Sequence, residues 1–159
     1  MIRAARAADA EAIAAIYNQG IEERSSTFET EARTAQDIEP WLETAERLPV
    51  LVADEDETVL GWARVQAYSE RPAYSGVGEV SVYVVAAARG RGLGRALLEE
   101  LEEAAREREF WKLVGKLFTD NAASAALVRR CGWREVGMHQ RHGRLDGEWR
   151  DVLLVERVL

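Results

Sequence analysis

The segment VSVYVVAAARGRGLGRALL, residues 80–98, changes its hydrophobic period half-way along. An alternating apolar run stops and a short Ala/Arg/Gly turn follows. A segment with helical apolar spacing then begins among the glycines. This order specifies a strand that feeds a helix through a turn almost free of side chains. Such a turn leaves backbone N–H groups unpaired at a helix N-terminus, where a pyrophosphate can sit.

On either side of this segment the pattern is that of an α/β chain. Upstream, Ile2–Ala5 is expected as a strand, and Asp9 as the cap of a helix carrying Ile13, Ile16, Tyr17 and Ile21. A loop around Ser25, Ser26, Thr27 and Thr30 precedes a second helix over 36–47, with Pro40 tolerated best in its first turn. Val50–Val52 begins a strand, Asp54–Glu57 a hairpin turn, and 59–68 and 77–85 two further strands. After the glycines, Leu93, Leu97, Leu98, Leu101 and Ala105 define an amphipathic helix. Glu99, Glu100, Glu102, Glu103, Arg106 and Glu107 form its expected solvated face. Residues 113–118 read as a strand, and Asn121 caps a short helix that closes at Gly132. Strands over 134–141 and 149–158 flank a turn at Asp146-Gly147. The expected architecture is a mixed, mostly antiparallel sheet flanked by helices.

Composition narrows the function classes. With 159 residues, 47% apolar and 31% charged, residues 1–159 are expected to form one domain with a sizeable core. The net charge of −7 argues against a general nucleic-acid binder, which needs a basic face. No apolar run approaches the roughly 20 residues of a membrane span. Asp9 and Glu11 interrupt the opening MIRAARAADAEAIAAIY, so it does not read as a signal peptide, and the cytoplasm is the expected location. Cys131 is alone, which excludes an internal disulfide; with His139 and His142 it makes no convincing metal site.

Three kinds of glycine loop bind phosphates. A nucleotide P-loop needs Gly-Lys-Ser/Thr, and here Gly94 is followed by Arg95-Ala96. A dinucleotide fingerprint counted from Gly90 and Gly92 needs a glycine where Arg95 stands, and an acidic residue that 113–118 does not offer. Arg89-Gly90-Arg91-Gly92-Leu93-Gly94 does match R/Q-x-x-G-x-G/A, the acetyl-CoA signature of the GNAT acetyltransferases, between the strand and helix that signature requires. An Arg/Gly turn that only caps a helix would use the same residues.

The chain resembles, along its whole length, the phosphinothricin N-acetyltransferase group of that superfamily, which includes acetyltransferases for methionine sulfone and related amino-acid analogues. The matching pieces are Ile16-Tyr17-Asn18, Ser26–Glu31, Arg71-Pro72-Ala73-Tyr74, Glu79–Val84, Asn121–Ser124 and Gly147–Val152. The resemblance implies a GNAT-type fold, acetyl-CoA as donor, a primary amine as acceptor and a homodimer. It assigns the thioester and pantetheine arm to the edge of Val82-Tyr83-Val84, and gives Asn121 a contact to acetyl-CoA beside its capping role.

The chemistry assigns roles to the same residues. The pyrophosphate falls to the N–H groups from Gly90 through Arg91, Gly92, Leu93 and Gly94 to Arg95, with Arg89, Arg91 and Arg95 adding charge or serving only as exposed solubilising groups. A backbone N–H near Val84 is the candidate for polarising the thioester carbonyl. Glu79 shares a face with Ser81 and Tyr83 by the period of two; with partial burial it is the candidate general base, directly or through a water, and otherwise a solvated strand-end residue. The resemblance places acceptor contacts just before the 77–85 strand, at Pro72, Ala73 and Tyr74; Arg71 beside them suits a phosphinate, sulfone or carboxylate as a fork, and Phe28 can supply an aromatic wall. Arg71 and Phe28 read equally as a surface charge and a core plug.

The chain departs from the family seven residues after Asn121. Val128 stands where a Tyr or His proton donor is usual, and Cys131 one turn on reads as a packed thiol. His139 and His142 read as surface residues, and Trp149 and Asp151 match the family but read equally well as packing and turn residues. The leading expectation is an acetyl-CoA-dependent N-acetyltransferase acting on a small-molecule amine. The alternatives are a protein or peptide N-acetyltransferase and, because of Val128, a non-catalytic acyl-CoA-binding module.

Overall fold

The computed structural model describes all residues, Met1–Leu159. Its elements are β1 (Ile2–Ala4), α1 (Ala10–Glu23), α2 (Ala35–Glu43), β2 (Val50–Glu55), β3 (Thr58–Ala67), β4 (Val77–Val84), α3 (Leu93–Glu107), β5 (Lys112–Phe118), α4 (Ala122–Arg130), β6 (Arg134–Leu145) and β7 (Glu148–Val158). The seven strands form one mixed sheet in the order β1-β2-β3-β4-β5-β7-β6. Every neighbouring pair is antiparallel except β4 and β5, which run parallel.

Strand alternation builds two cores. In β2, Val50 and Val52 pack with Trp62, Ile13, Ile16 and Ile38 under α1 and α2. Leu51 and Ala53 face the other way and pack with Val65, Leu97, Leu98, Leu101 and Val128 under α3 and α4. A strand buried on both faces needs apolar residues at every position, which is why Val50–Ala53 is a continuous run. Two tight turns fix the hairpins. Asp56-Glu57 and Asp146-Gly147 all have positive φ, the backbone of a type I′ turn whose twist matches its strands.

Three local expectations need correction. Asp9 does not cap α1 with its side chain. It belongs to a 3-10 turn, Ala7–Asp9, and its carboxylate reaches back to the Arg6 N–H (2.7 Å) and to Arg3 (2.8 Å), a stronger charge-assisted partner. Helix α2 stops at Glu43 rather than Arg47, and Pro40 lies in its interior instead of its first turn. The Thr44 hydroxyl donates to the Pro40 and Trp41 carbonyls, satisfying acceptors that a longer helix would have used. Glu102 is not on the solvated face of α3 but only 5% exposed. It lies one turn from both Leu98 and Ala105, at the edge of the apolar stripe, where Trp133 Nε1 donates to it at 2.8 Å.

The parallel pair positions the site. β4 and β5 pair only through Val77–Glu79 and Lys112–Val114. Beyond Glu79 the strands separate, and β4 runs on to Val84 with β3 alone beside it.

Candidate active site

The glycine loop lies at the end of β4. A 3-10 turn, Ala86–Ala88, leads into it, and Gly92 precedes the first residue of α3. Gly90 (φ 77°) and Gly92 (φ 85°) hold left-handed conformations that side chains disfavour. A Cβ on either would meet no protein atom within 4 Å, so their requirement comes from the backbone and from whatever approaches it. The first helical N–H with an acceptor is that of Ala96, bonded to the Gly92 carbonyl at 3.0 Å. The six N–H groups from Gly90 to Arg95 donate to no protein group. Six consecutive free donors at a helix N-terminus fit an oxyanion-rich pyrophosphate.

The three arginines of the loop are tied to acidic neighbours. Arg89 forks onto Glu23 and bonds the Val84 carbonyl, Arg91 pairs with Glu55, and Arg95 with Glu99. These pairs are exposed and therefore weak, so they limit the arginines little.

Antiparallel ladders alternate the direction of N–H groups. Val85 N–H donates to the Leu60 carbonyl on the β3 side at 2.8 Å. Tyr83, Ser81 and Glu79 follow the same parity, and Val82 and Val84 turn toward the gap left by β5. The open strand edge is thus Val82–Val84, with the Val84 N–H facing the gap next to the glycine loop.

A cavity of ≈ 660 Å³ lies against the α1–α2 face of the gap. Val80, Ser81 and Tyr83 of β4 line it together with Lys116, Leu117 and Phe118 of β5, so it spans the divergence. Trp62, Arg64 and Gln66 of β3 enter because they stand directly opposite Tyr83, Ser81 and Glu79. Glu79 is held on both oxygens: Oε2 accepts from Gln66 Nε2 at 2.8 Å, and Oε1 pairs with Lys116 Nζ at 2.7 Å. The Tyr83 ring stacks on Trp62, with centroids 4.9 Å apart, and packs where Gly20 of α1 leaves room. Burial pushes the Tyr83 hydroxyl up to about 12, so it is a neutral phenol at physiological pH.

Phe28 lies in the cavity wall, packed edge-on against Phe118 (4.8 Å) and over Gly143, where a Cβ would stand 2.6 Å from its ring. It is thus both plug and wall. Arg71, Ala73 and Tyr74 are exposed on a 3-10 turn before β4 and do not line the cavity; Tyr74 packs edge-on against Tyr68 at 5.8 Å. Asn121 caps α4, with Oδ1 accepting from Ser124 N at 3.1 Å and Nδ2 donating to the Ser25 carbonyl at 3.2 Å. Val128 is 6% exposed inside the α3–α4 core, and burial pushes the Cys131 thiol up.

Arg64, Gln66, Lys116 and His142 are among the wall residues that the sequence did not single out for the site. The first three follow from the register of β3 and β5 against β4, which no short turn fixes. His142 depends on a bulge. Between His139 and Gly143, β6 has two more residues than the facing stretch of β7. Arg141 in that bulge has a φ of 48°, and its N–H donates to Asp151 Oδ1 at 2.8 Å. Asp151 thereby pins the bulge, which aims His142 at the cavity with its ring stacked on His139 (4.3 Å). Gly143 was the available signal, since a glycine inside a strand often marks a bulge or a close approach.

Comparison with known proteins agrees with this geometry. The family model described as an acetyltransferase (GNAT) domain matches residues 2–154. A Pseudomonas aeruginosa protein named L-methionine sulfoximine/L-methionine sulfone acetyltransferase is 34% identical, over 98% of this chain and 92% of its own length. A crystal structure of a Brucella melitensis protein named ribosomal-protein-alanine N-acetyltransferase is 37% identical with a TM-score of 0.95, covering 100% of this chain and 99% of that one. A GNAT superfamily phosphinothricin acetyltransferase from Sinorhizobium meliloti, solved in complex with acetyl-CoA, is 30% identical with a TM-score of 0.93, covering 100% and 88%.

Proposed function

Because the chain belongs to the GNAT acetyltransferase family, we propose that it is an acetyl-CoA-dependent enzyme that acetylates the primary amine of a small amino acid or amino-acid analogue. Phosphinothricin and methionine sulfone or sulfoximine are the model acceptors. The observation that carries this reading is the run of unpartnered N–H groups from Gly90 to Arg95, set beside an open strand edge and a cavity that holds Glu79.

The loop fits acetyl-CoA, as its free donors and the open space at Gly90 and Gly92 suit a pyrophosphate. When bound, acetyl-CoA supplies an activated thioester, whose acetyl carbon the amine acquires as the thiol departs. This chain's residues do the rest. The Val82–Val84 edge pairs with the peptide-like pantetheine arm, as strand edges do with extended ligands. The Val84 N–H donates to the thioester carbonyl oxygen, where negative charge builds. By resemblance to the family, Asn121 adds a contact to acetyl-CoA beside its capping role. Glu79 accepts the amine proton, directly or through a water, once the acceptor displaces Lys116 or Gln66 from its carboxylate. The leaving thiol is acidic enough to depart without a side-chain acid at Val128. Arg71, Ala73 and Tyr74 approach the acceptor only from outside the cavity, at its rim or across a homodimer contact. The exposed Val136, Met138 and Trp149 on the outer strand pair support such a dimer.

Similarity to the Brucella melitensis protein, named for action on a ribosomal-protein alanine, favours a second reading, acetylation of a protein N-terminus. Acetyl-CoA-dependent thiol release from purified protein separates the two. Release with methionine sulfone or phosphinothricin supports the first; release with an N-terminal alanine peptide but no free amino acid supports the second. Tight acetyl-CoA binding without release on any acceptor would leave only a binding module.

A further inference from the structure

Arg64 is the one cation of the cavity wall with no acidic partner. Lys116 has Glu79 and Arg33 has Glu29, at 2.7 Å each, but no carboxylate lies within ion-pair distance of Arg64. Its guanidinium carries five N–H donors and makes one hydrogen bond, to Gln66 Oε1. One face is stacked on Trp41, with the guanidinium carbon 3.7 Å from the ring centroid. Desolvation pushes Arg64 down to about 10, which still leaves it charged at neutral pH. Arg64 is half-buried, and withdrawing a cation from water even partly without its anion carries a cost that stacking on an indole offsets only in part. The stacking also fixes the plane of the fork, with its edge donors free for an oxyanion.

Arg64 and Glu79 lie at opposite ends of a single carboxamide. Gln66 accepts from Arg64 through Oε1 and donates to Glu79 through Nε2. The oxygen and nitrogen of a carboxamide are about 2.3 Å apart from standard bond lengths. An α-amino acid carries its nitrogen and its carboxylate on one carbon, so a similarly short span separates its charges.

We infer that Arg64, held by Trp41 and Gln66, is the site for the free carboxylate of an α-amino-acid acceptor, and that it sets the substrate class. The carboxylate takes the two free edge donors of Arg64, and the nitrogen then faces Glu79. The inference rests on the small-molecule acetyltransferase reading and sharpens it. A protein N-terminus has a neutral amide where an amino acid has its carboxylate, so it leaves the Arg64 charge unpaired and is rejected.

The test compares methionine sulfone with its decarboxylated counterpart, 3-(methylsulfonyl)propylamine, at saturating acetyl-CoA. Wild type should favour the amino acid at least 100-fold in kcat/KM. Arg64→Met should lose about 100-fold with the amino acid, chiefly through KM, and change less than about three-fold with the amine. Arg64→Lys keeps the charge without the fork and should fall between them. Thermal melts of both variants establish that they are folded. Equal losses of Arg64→Met on both acceptors, or equal use of both by wild type, overturn the inference. So does a preference of wild type for an N-terminal peptide, while leaving acetyl transfer itself intact. If wild type releases no thiol at all, the acetyltransferase reading fails, and quenching of tryptophan fluorescence by methionine sulfone still decides the role of Arg64. Quenching that is lost in Arg64→Met and in Trp41→Phe supports it; quenching unchanged in Arg64→Met, or none in wild type, overturns it.

Discussion

Replacing Gly94 and then Gly92 with alanine separates what the fold needs from what the donor needs. Gly94 is the second residue of α3, and its φ is not in the left-handed region. A Cβ there would stand 3.4 Å from Leu127 Cδ2 and 3.9 Å from Val84 Cγ2, which is ordinary contact. Alanine is also the better helix former, by up to about 1 kcal/mol. The free protein should therefore be unchanged or slightly more stable. The added methyl projects toward Leu127 of α4 and Val84 of β4 rather than into the open space over the loop, and the signature itself admits alanine here, so acetyl-CoA affinity should stay within about three-fold. A Cβ on Gly92 does enter that open space, and displacing a phosphate from one free N–H there costs about 1.5–3 kcal/mol, or roughly 10- to 100-fold in affinity. Calorimetric titration with acetyl-CoA, alongside a thermal melt, reads both quantities. Gly92→Ala is the counterpart: with a φ of 85° it should lose about 1–2 kcal/mol of stability before any ligand is added. Unchanged acetyl-CoA affinity in Gly92→Ala would refute the assignment of this loop. A loss of affinity in Gly94→Ala as large as that in Gly92→Ala would do so equally.

Other outcomes follow from single contacts. Glu79→Gln should lower kcat by about 10²–10⁴-fold and leave acetyl-CoA affinity within about two-fold, measured by steady-state kinetics and calorimetry. Gly20→Ala should destabilise by about 1–3 kcal/mol despite its helix propensity, because the new Cβ would lie 2.6 Å from Tyr83 Cε1; denaturant unfolding checks this. Arg3 holds the Asp9 carboxyl below the usual carboxylate range, so its stabilisation is full above the unfolded pKa near 4 and lost as pH falls through the lower folded value. Asp9→Asn should thus lower the melting temperature at pH 7, and the gap to wild type should narrow below about pH 4.

The parts of this molecule that were legible from sequence are those governed by local periodicity. The alternation of Glu79, Ser81 and Tyr83 gave their shared face, and Gly90 and Gly92 announced positive φ. The residues that surround Glu79 were not legible, because they depend on register. Gln66 reaches Glu79 only because β3 and β4 align that pair, and a nine-residue connection between the two strands does not specify the alignment. Lys116 requires the parallel pairing of β5 and then its divergence. Asp9 and Glu102 were misread for a common reason. In each case a partner captures the carboxylate: Arg3, six residues upstream, takes Asp9 from its expected capping role, and Glu102 beside the apolar stripe looks solvated until Trp133 is brought in from a distant element.

The most direct test is acetyl-CoA-dependent thiol release by purified protein, with methionine sulfone, phosphinothricin, the common amino acids and an N-terminal alanine peptide as acceptors. The account predicts saturable release with at least one free amino acid or analogue, falling by about 10²-fold or more in Glu79→Gln. Release with the peptide alone, or acetyl-CoA binding with no release on any acceptor, would contradict it.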